Sequence, residues 1–69
     1  MAERLANRLK ERRAELGLTQ AELAERGGVT RKTVNTVENG VFVPSTLLAL
    51  KLAKALGLAV EELFSISPD

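Results

Sequence analysis

The absence of both cysteine and histidine is the feature that most restricts the folds open to this 69-residue chain. A chain of this size buries only about 60% of the surface that it exposes when unfolded, so its core gives marginal stability. Natural domains this small commonly add a disulfide, a bound metal, idealised helix packing or a partner subunit. Without these two residue types a disulfide is impossible and a structural zinc site is not expected. Helix packing and self-association are therefore the expected means of stabilisation.

The same composition argues against enzyme and membrane functions. Histidine and cysteine supply many of the bases, nucleophiles and soft metal ligands of enzymes, and the only aspartate is Asp69. We therefore predict no catalytic residue, metal site, cofactor or small-molecule ligand. The chain starts with charged residues rather than an apolar leader, and its longest uncharged run, 39–50, is too short to span a bilayer. We expect a soluble, cytoplasmic protein that is not an enzyme.

Glycine residues divide the first half of the chain into short helical segments. Apolar residues recur near helical spacing over 3–16 and predict a first helix that ends at Gly17. Thr19 and Glu22 have the spacing of a capping box, in which each side chain bonds the backbone of the other residue. The helix that they start is expected to end at the glycine pair 27–28.

Three further helices are predicted in the rest of the chain. Thr30 caps a helix over 30–38, Ser45 starts a longer helix that Gly57 ends, and a short helix follows over 60–64. We interpret the leucine stripe over 47–56 as core rather than as a ligand pocket. The predicted fold is all-α: one compact five-helix domain over residues 1–69, with a tail that could add a short C-terminal strand.

Basic residues are concentrated in the N-terminal half. Residues 1–35 hold eight lysines and arginines against five glutamates, while residues 36–69 hold two against four acidic residues, and the whole chain has a net charge of +1. Such asymmetry is a hint of a surface that faces a polyanion, although solvated helix faces give the same pattern. Four of the basic residues could steer DNA but are expected to be mostly solvated: Arg4, Arg8, Lys10 and Arg12.

The second and third helices have the layout of a helix-turn-helix unit. The turn between them needs a residue that accepts positive φ, which Gly28 supplies, and Val29 would anchor the turn in the core. Since successive helical residues are about 100° apart, Val34 and Val37 fall on the core side of the third helix. The opposite side of this helix carries six hydrogen-bond donors, none of them acidic. Such a surface fits a DNA major groove, and it is also typical of a helix side that is exposed to solvent. These residues are Arg31, Lys32, Thr33, Asn35, Thr36 and Asn39.

Motifs spread along the chain together resemble the lambda-repressor-like, Cro/XRE-type helix-turn-helix family. They are the runs TQAELA at 19–24, GVTR at 28–31, VENG at 37–40, PS at 44–45, AKALGL at 53–58 and VEELF at 60–64. The resemblance covers about residues 4–64. It implies a compact five-helix domain that binds operator DNA, usually as a dimer, and therefore a sequence-specific transcriptional regulator, most often a repressor.

The resemblance also implies roles for individual residues. Gln20 matches a position that typically contacts the DNA backbone and sometimes a base. Four residues match positions that read base edges: Arg31, Lys32, Thr33 and Thr36. Two match positions that touch phosphates: Asn35 and Asn39. One pair matches a structural ion pair between the first helix and the end of the recognition helix: Arg13 and Glu38.

Two positions depart from the pattern of the family. Gly27 stands where the family usually has an apolar residue under the turn, so we expect a frayed helix end or a tighter turn. Val41 stands where a lysine or arginine often meets the DNA backbone, so the salt dependence of binding should fall by about one unit of slope. The neighbouring Phe42 is expected to pack on the domain's own surface.

One short recognition helix makes few contacts, so we expect a homodimer that binds the two half-sites of a palindromic operator, roughly 34 Å apart. The expected interface is the last helix and the tail, where alternation over 64–67 would suit a strand that pairs with its twofold mate. Its candidate residues are Val60, Leu63, Phe64 and Ile66. Alternatively, Phe64 closes the monomer core. The alternative function is an antitoxin-like module that neutralises a partner protein.

Overall fold

A computed structural model describes residues 3–68 of the protein. Within these residues, two short strands and five helices follow one another. They are β1 (Arg4–Asn7), α1 (Leu9–Glu15), α2 (Gln20–Gly27), α3 (Arg31–Glu38), α4 (Thr46–Leu56), α5 (Val60–Leu63) and β2 (Phe64–Ser67). The predicted five-helix fold is confirmed, with a two-stranded sheet added. Within residues 3–68, no helix combines the length and the apolar character that crossing a bilayer requires.

The N-terminal segment is a strand, and the prediction that α1 begins at residue 3 is wrong. β1 pairs antiparallel with β2, which places Leu5 opposite Ile66. The Arg8 amide extends this pairing by donating to the Leu63 carbonyl over 2.9 Å. The side-chain oxygen of Asn7 accepts the Leu9 amide over 3.1 Å, so the helix starts only there. The predicted tail strand therefore has a partner strand, β1, within the monomer.

Local capping signals set the starts of the longer helices, as predicted. The Glu22 amide donates to the Thr19 hydroxyl over 3.0 Å, and the Thr19 amide donates to the Glu22 carboxylate over 2.8 Å. The hydroxyls of Thr30 and Ser45 each accept the amide of the third residue after them. These bonds satisfy N–H groups that the first helical turn would otherwise leave without a partner.

Every helix contributes to one cluster of buried apolar side chains. Its members are Leu9, Leu18, Leu23, Ala24, Val34, Val37, Leu52, Ala53, Leu56, Leu63 and Phe64. Leu63 and Phe64 are 1% and 7% exposed, so they belong to the monomer core. Of the other two residues predicted for a tail interface, Val60 is half-buried and Ile66 is 70% exposed, so the interface stays a prediction.

The leucine stripe of α4 lies only partly in the core, contrary to the prediction. Leu52 and Leu56 are buried, whereas Leu47 and Leu50 are 64% and 52% exposed. Residues five positions apart in a helix point about 140° away from each other, so Leu47 and Leu52 cannot face the same side. Because α4 is apolar on most of its circumference, periodicity did not show which leucines face the core.

Candidate nucleic-acid interface

The turn between α2 and α3 fixes where α3 lies on the domain. Gly28 has a φ of 67°, the left-handed conformation that glycine adopts without steric cost. The Val29 amide donates to the Ala24 carbonyl over 2.9 Å, and the Val29 side chain packs against the core. Gly27 is buried and is the last residue of α2, so the expectation of a frayed helix end is wrong.

The two sides of α3 differ sharply in polarity. Val34 and Val37 are 0% and 2% exposed and join α3 to the core. Six of the seven residues predicted to bind DNA belong to α3 or follow it directly, and they lie outside this core face. Four of them are exposed and the two threonines are half-buried: Arg31, Lys32, Asn35 and Asn39, then Thr33 and Thr36. The first turn of α3 contains no acidic residue.

The threonine hydroxyls of α3 are already engaged within the helix. The Thr36 hydroxyl donates to the Thr33 carbonyl over 3.0 Å, and the hydroxyls of Thr33 and Thr30 are hydrogen-bonded to each other over 2.9 Å. A hydroxyl has a single proton to donate. Thr36 therefore offers a ligand its methyl group and its oxygen lone pairs, but no proton for a hydrogen bond.

Arg13 and Glu38 join α1 to the C-terminal end of α3. Arg13 Nε and Nη2 donate to the two carboxylate oxygens of Glu38 over 2.7 and 3.2 Å. Arg13 Nη1 also donates to the Leu18 carbonyl over 2.9 Å. The side chains of Arg13 and Glu38 are 16% and 4% exposed. This forked arrangement secures the recognition helix to the rest of the fold.

The surroundings of Glu38 keep it ionised. Burial raises the pKa of this carboxyl, but the hydrogen bonds from Arg13 and Gln20 and the charge of Arg13 outweigh burial, so its pKa lies below the usual value. The hydrogen bond to Glu38 raises the pKa of Arg13 in turn. Both groups are therefore charged at neutral pH, and each compensates the charge of the other.

Glu38 also orients Gln20, the first residue of α2. Gln20 Nε2 donates to Glu38 Oε1 over 3.1 Å, which turns the amide oxygen of Gln20 toward Asn35 Nδ2, 3.5 Å away. The structure thus places two of the predicted DNA contacts, Gln20 and Asn35, side by side. Sequence reasoning identified both residues and the ion pair, but not the network that links them.

Asn7 and Arg12 also hold this region together, through contacts that the sequence does not predict. Asn7 Nδ2 donates to the Val37 carbonyl near the end of α3 over 3.0 Å. Arg12, which we expected to be solvated, donates through Nε to the Leu56 carbonyl over 3.1 Å and pairs with Glu15. Asn7 lies 30 positions from Val37 in the sequence, and Arg12 lies 44 positions from Leu56, so no local sequence pattern indicates these contacts.

The segment after α3 carries three consecutive exposed apolar residues, Val41, Phe42 and Val43. Val41 is 70% exposed, and its amide donates to the Thr36 carbonyl over 2.9 Å. Phe42 is 43% exposed and borders a surface cavity together with Asn39 and Phe64. Packing of Phe42 on the domain's own surface therefore stays a prediction, because this side chain is not among those packed against the core.

Comparison with known proteins places the chain among regulators of transcription. The family model described as Helix-turn-helix matches residues 9–63. The uncharacterized HTH-type transcriptional regulator YgzD of Bacillus subtilis (strain 168) is 48% identical over 65 residues, covering 94% of this chain and 98% of YgzD. An uncharacterized HTH-type transcriptional regulator of Methanothermobacter thermautotrophicus is 50% identical over 62 residues, covering 88% of this chain and 90% of that protein.

Solved structures give the same result for the fold. The crystal structure of the restriction-modification controller protein C.AhdI from Aeromonas hydrophila superposes with a TM-score of 0.77 and is 42% identical in sequence. The match covers 80% of this chain and 83% of that one.

The fold and the polar outer side of α3 define a helix-turn-helix DNA-binding protein. The resemblance found in the sequence is confirmed: the chain belongs to the lambda-repressor-like, Cro/XRE-type family of helix-turn-helix transcriptional regulators. This is not a family of enzymes, so membership also confirms the prediction of a non-enzymatic protein.

Proposed function

We propose that the protein represses transcription by binding a palindromic operator as a homodimer, with α3 of each copy in the DNA major groove. The observation that carries this proposal is the outer side of α3. Arg31, Lys32 and Asn35 are exposed on a helix whose opposite side, Val34 and Val37, is buried in the core. A single α-helix fits the major groove, where each base pair presents a distinct pattern of donors and acceptors.

The local positive charge of α3 favours binding to DNA even though the whole chain is nearly neutral. Neither Arg31 nor Lys32 takes part in any of the ion pairs formed among residues 3–68. The one acidic residue of α3, Glu38, is compensated by Arg13. The N-terminal end of α3 therefore combines two free cations with the positive end of a helix dipole, and both attract phosphate.

The proposed contacts follow from the chemistry of each side chain. Arg31 and Lys32 donate to base edges, guanine O6 and N7 being their best acceptors, while Thr33 and Thr36 offer methyl groups and lone pairs. Asn35 and Asn39 bind phosphates. Gln20 has one amide hydrogen left after its bond to Glu38, and that hydrogen is available to the DNA backbone.

The length of α3 supports the dimer. Eight helical residues extend only about 12 Å, which spans few base pairs. Such a footprint gives too few base contacts to select one site among the many non-specific sites of a genome. Two copies related by a twofold axis double the contacts and match two half-sites one helical turn apart.

Selection of binding sites from random DNA duplexes tests the proposal. The expected result is a roughly palindromic consensus with half-sites one helical turn apart. Absence of any enriched motif would overturn sequence-specific binding and would favour a protein-interaction module instead. An enriched single half-site would leave DNA reading intact and overturn the palindromic dimer. A reporter with the selected site placed over its promoter then tests repression, which requires lower expression when the protein is present.

A further inference from the structure

Three hydrogen-bonded side chains lead from the interior of the domain to its surface. Glu38 is 4% exposed, Gln20 is half-buried and Asn35 is exposed. Gln20 Nε2 donates to Glu38 Oε1 over 3.1 Å, and Asn35 Nδ2 donates to Gln20 Oε1 over 3.5 Å. We call these three residues the Glu38 network. Its two outer members are among the residues proposed to contact the DNA backbone.

We infer that Glu38 is a positioning residue for DNA binding: its carboxylate orients the amides of Gln20 and Asn35 so that each presents an N–H group to one phosphate of the backbone. Glu38 acts through Gln20 and does not touch DNA itself. The inference rests on the proposed function and deepens it, because it gives a buried residue a role in the affinity for DNA besides its role in the fold.

The first argument is the chemistry of the carboxylate. An ionised carboxylate only accepts hydrogen bonds, and the pKa of Glu38 lies below its usual value, so Glu38 carries no proton at neutral pH. Only the nitrogen of the Gln20 amide can therefore face Glu38. The amide oxygen is turned toward Asn35, which must approach it with its own nitrogen. One ionised group thus determines which end of each amide points inward.

The second argument is the set of hydrogens that remains. An amide nitrogen carries two hydrogens. Gln20 uses one of them for Glu38 and Asn35 uses one for Gln20, so each nitrogen keeps one for a further acceptor. Asparagine and glutamine side chains often bind phosphate in protein–DNA complexes. Because Gln20 and Asn35 are adjacent, their remaining N–H groups can reach the same phosphate.

The third argument is charge. A carboxylate this close to the DNA-binding surface would repel phosphate, but Arg13 compensates it through two hydrogen bonds. Arg31 borders the same surface depression as Gln20 and takes part in no ion pair among residues 3–68. The surroundings of Gln20 therefore attract phosphate although Glu38 lies 3.1 Å from its nitrogen.

Replacement of the whole ion pair separates positioning from folding. Arg13→Met together with Glu38→Met removes one charge of each sign, so the net charge is unchanged, and an apolar replacement for a buried pair is often neutral for stability. Gln20 then lacks the acceptor that orients it. We expect this paired variant to bind a short duplex at least about fivefold more weakly than wild type. Any duplex of mixed sequence is suitable, because phosphate contacts carry no sequence information.

Gln20→Ala completes a double-mutant cycle with the paired variant. It should weaken binding about tenfold in wild type but less than about threefold in the paired variant, where Gln20 is no longer oriented. The control is Arg13→Lys, which keeps a positive charge beside Glu38 and leaves the bond from Gln20 in place. It loses the forked geometry and should be less stable, yet bind the duplex within about threefold of wild type. Circular dichroism gives the folded fraction by which each affinity is corrected.

NMR of the isotope-labelled wild type gives a measurement that does not depend on the folding of any variant. The two hydrogens of Gln20 Nε2 have separate signals. The hydrogen that faces Glu38 should show a nuclear Overhauser effect to the Glu38 side chain. Addition of the duplex should shift the signal of the other hydrogen more strongly. If the paired variant does not fold, these spectra decide.

Three affinity results would overturn the positioning role and leave the proposed function standing. They are wild-type affinity in the paired variant, equal losses for Gln20→Ala in both backgrounds, and a loss in Arg13→Lys as large as that in the paired variant. Equal shifts of both Gln20 hydrogens on addition of the duplex would overturn it as well. A wild type that binds no duplex would overturn the positioning role and the proposed function together.

Discussion

Arg13 of α1 and Glu38 of α3 form a two-pronged ion pair, with nitrogen–oxygen distances of 2.7 and 3.2 Å, in a region that is largely shielded from water. Glu38 also accepts a hydrogen bond from Gln20, the first residue of α2. One carboxylate thus connects three helices. The orientation of the recognition helix depends on a charge that would be costly to bury alone.

Removal of that carboxylate should destabilise the fold strongly. Glu38→Ala leaves the Arg13 guanidinium without its partner, and we expect a loss of about 3 kcal/mol in the free energy of unfolding. The matched control is Glu11→Ala, which breaks the exposed Arg8–Glu11 pair at 3.7 Å and should cost less than about 0.5 kcal/mol. Urea unfolding followed by circular dichroism measures both. Equal losses in the two variants would show that the Arg13–Glu38 pair has no special role.

The Arg13–Glu38 ion pair should also make the stability of the fold sensitive to acid. The pKa of Glu38 is lower in the folded protein than its usual value of 4.5, so the folded state binds this proton less readily than the unfolded chain does. The resulting stabilisation is complete above the unfolded pKa and is lost as the pH falls from about 5 through the folded pKa. Glu38→Gln should therefore lose less stability on acidification than wild type.

Measurements of the free energy of unfolding between about pH 3 and 7 test this prediction. Some acid sensitivity should remain in Glu38→Gln, because hydrogen bonds from Thr19 also lower the pKa of Glu22. Glu61→Gln is the control, as Glu61 is exposed and forms no ion pair among residues 3–68. The prediction would be contradicted if the free energy of unfolding fell equally with decreasing pH in wild type and in Glu38→Gln.

The starts of α2, α3 and α4 could be predicted from the sequence because their causes are local. Thr19, Thr30 and Ser45 bond to amides three residues away, so residue type and spacing are sufficient. β1 could not be predicted in this way, since Leu5 pairs with Ile66 at the far end of the chain. The four-residue spacing of Leu5 and Leu9 suits a helix equally well.

The candidate site likewise combines residues that the sequence predicts with contacts that it does not predict. The outer side of α3 was predictable because Val34 and Val37 identify its core side by helical periodicity. The hydrogen bond from Gln20 to Glu38 could not be predicted, because it depends on how α2 packs against α3. The exposure of Leu50 was missed for a related reason: on a largely apolar helix, only the packing decides which side faces the core.

The two glycines at the end of α2 should respond in opposite directions to alanine. Gly27 is helical, and an added Cβ would lie 3.8 Å from Leu52 and Val29 atoms, an ordinary contact distance. Gly27→Ala should therefore stabilise the fold by about 0.5–1 kcal/mol through better helix propensity. Gly28 has a φ of 67°, so Gly28→Ala should cost about 1–2 kcal/mol. Thermal unfolding measures both, and a destabilised Gly27→Ala would mean that the space beside Leu52 is too tight.

Asn7 should matter for stability although it lies outside any motif. Its amide nitrogen donates to the Val37 carbonyl, and its oxygen accepts the Leu9 amide. Asn7→Ala removes both partners, and we expect a loss of about 1–2 kcal/mol in the free energy of unfolding. Ser65→Ala, at an exposed position of the paired strand β2, should change it by less than about 0.5 kcal/mol. A neutral Asn7→Ala would show that β1 does not help to hold α3.

Variants of α3 should separate base reading from phosphate binding on the selected operator. Lys32→Ala should lose about 1–3 kcal/mol of discrimination at particular base pairs, measured with duplexes substituted one position at a time. Asn39→Ala should weaken binding to all duplexes equally, because a phosphate contact carries no sequence information.

The hydroxyl of Thr36 already donates to the Thr33 carbonyl, so its contribution to base reading should come mainly from the methyl group. Thr36→Val keeps the methyl group and should preserve base preference, whereas Thr36→Ala removes it and should relax the preference at one position. The opposite order would assign the contact to the hydroxyl lone pairs. A uniform loss for Lys32→Ala, with a salt slope lower by about one unit, would show that Lys32 touches only phosphate.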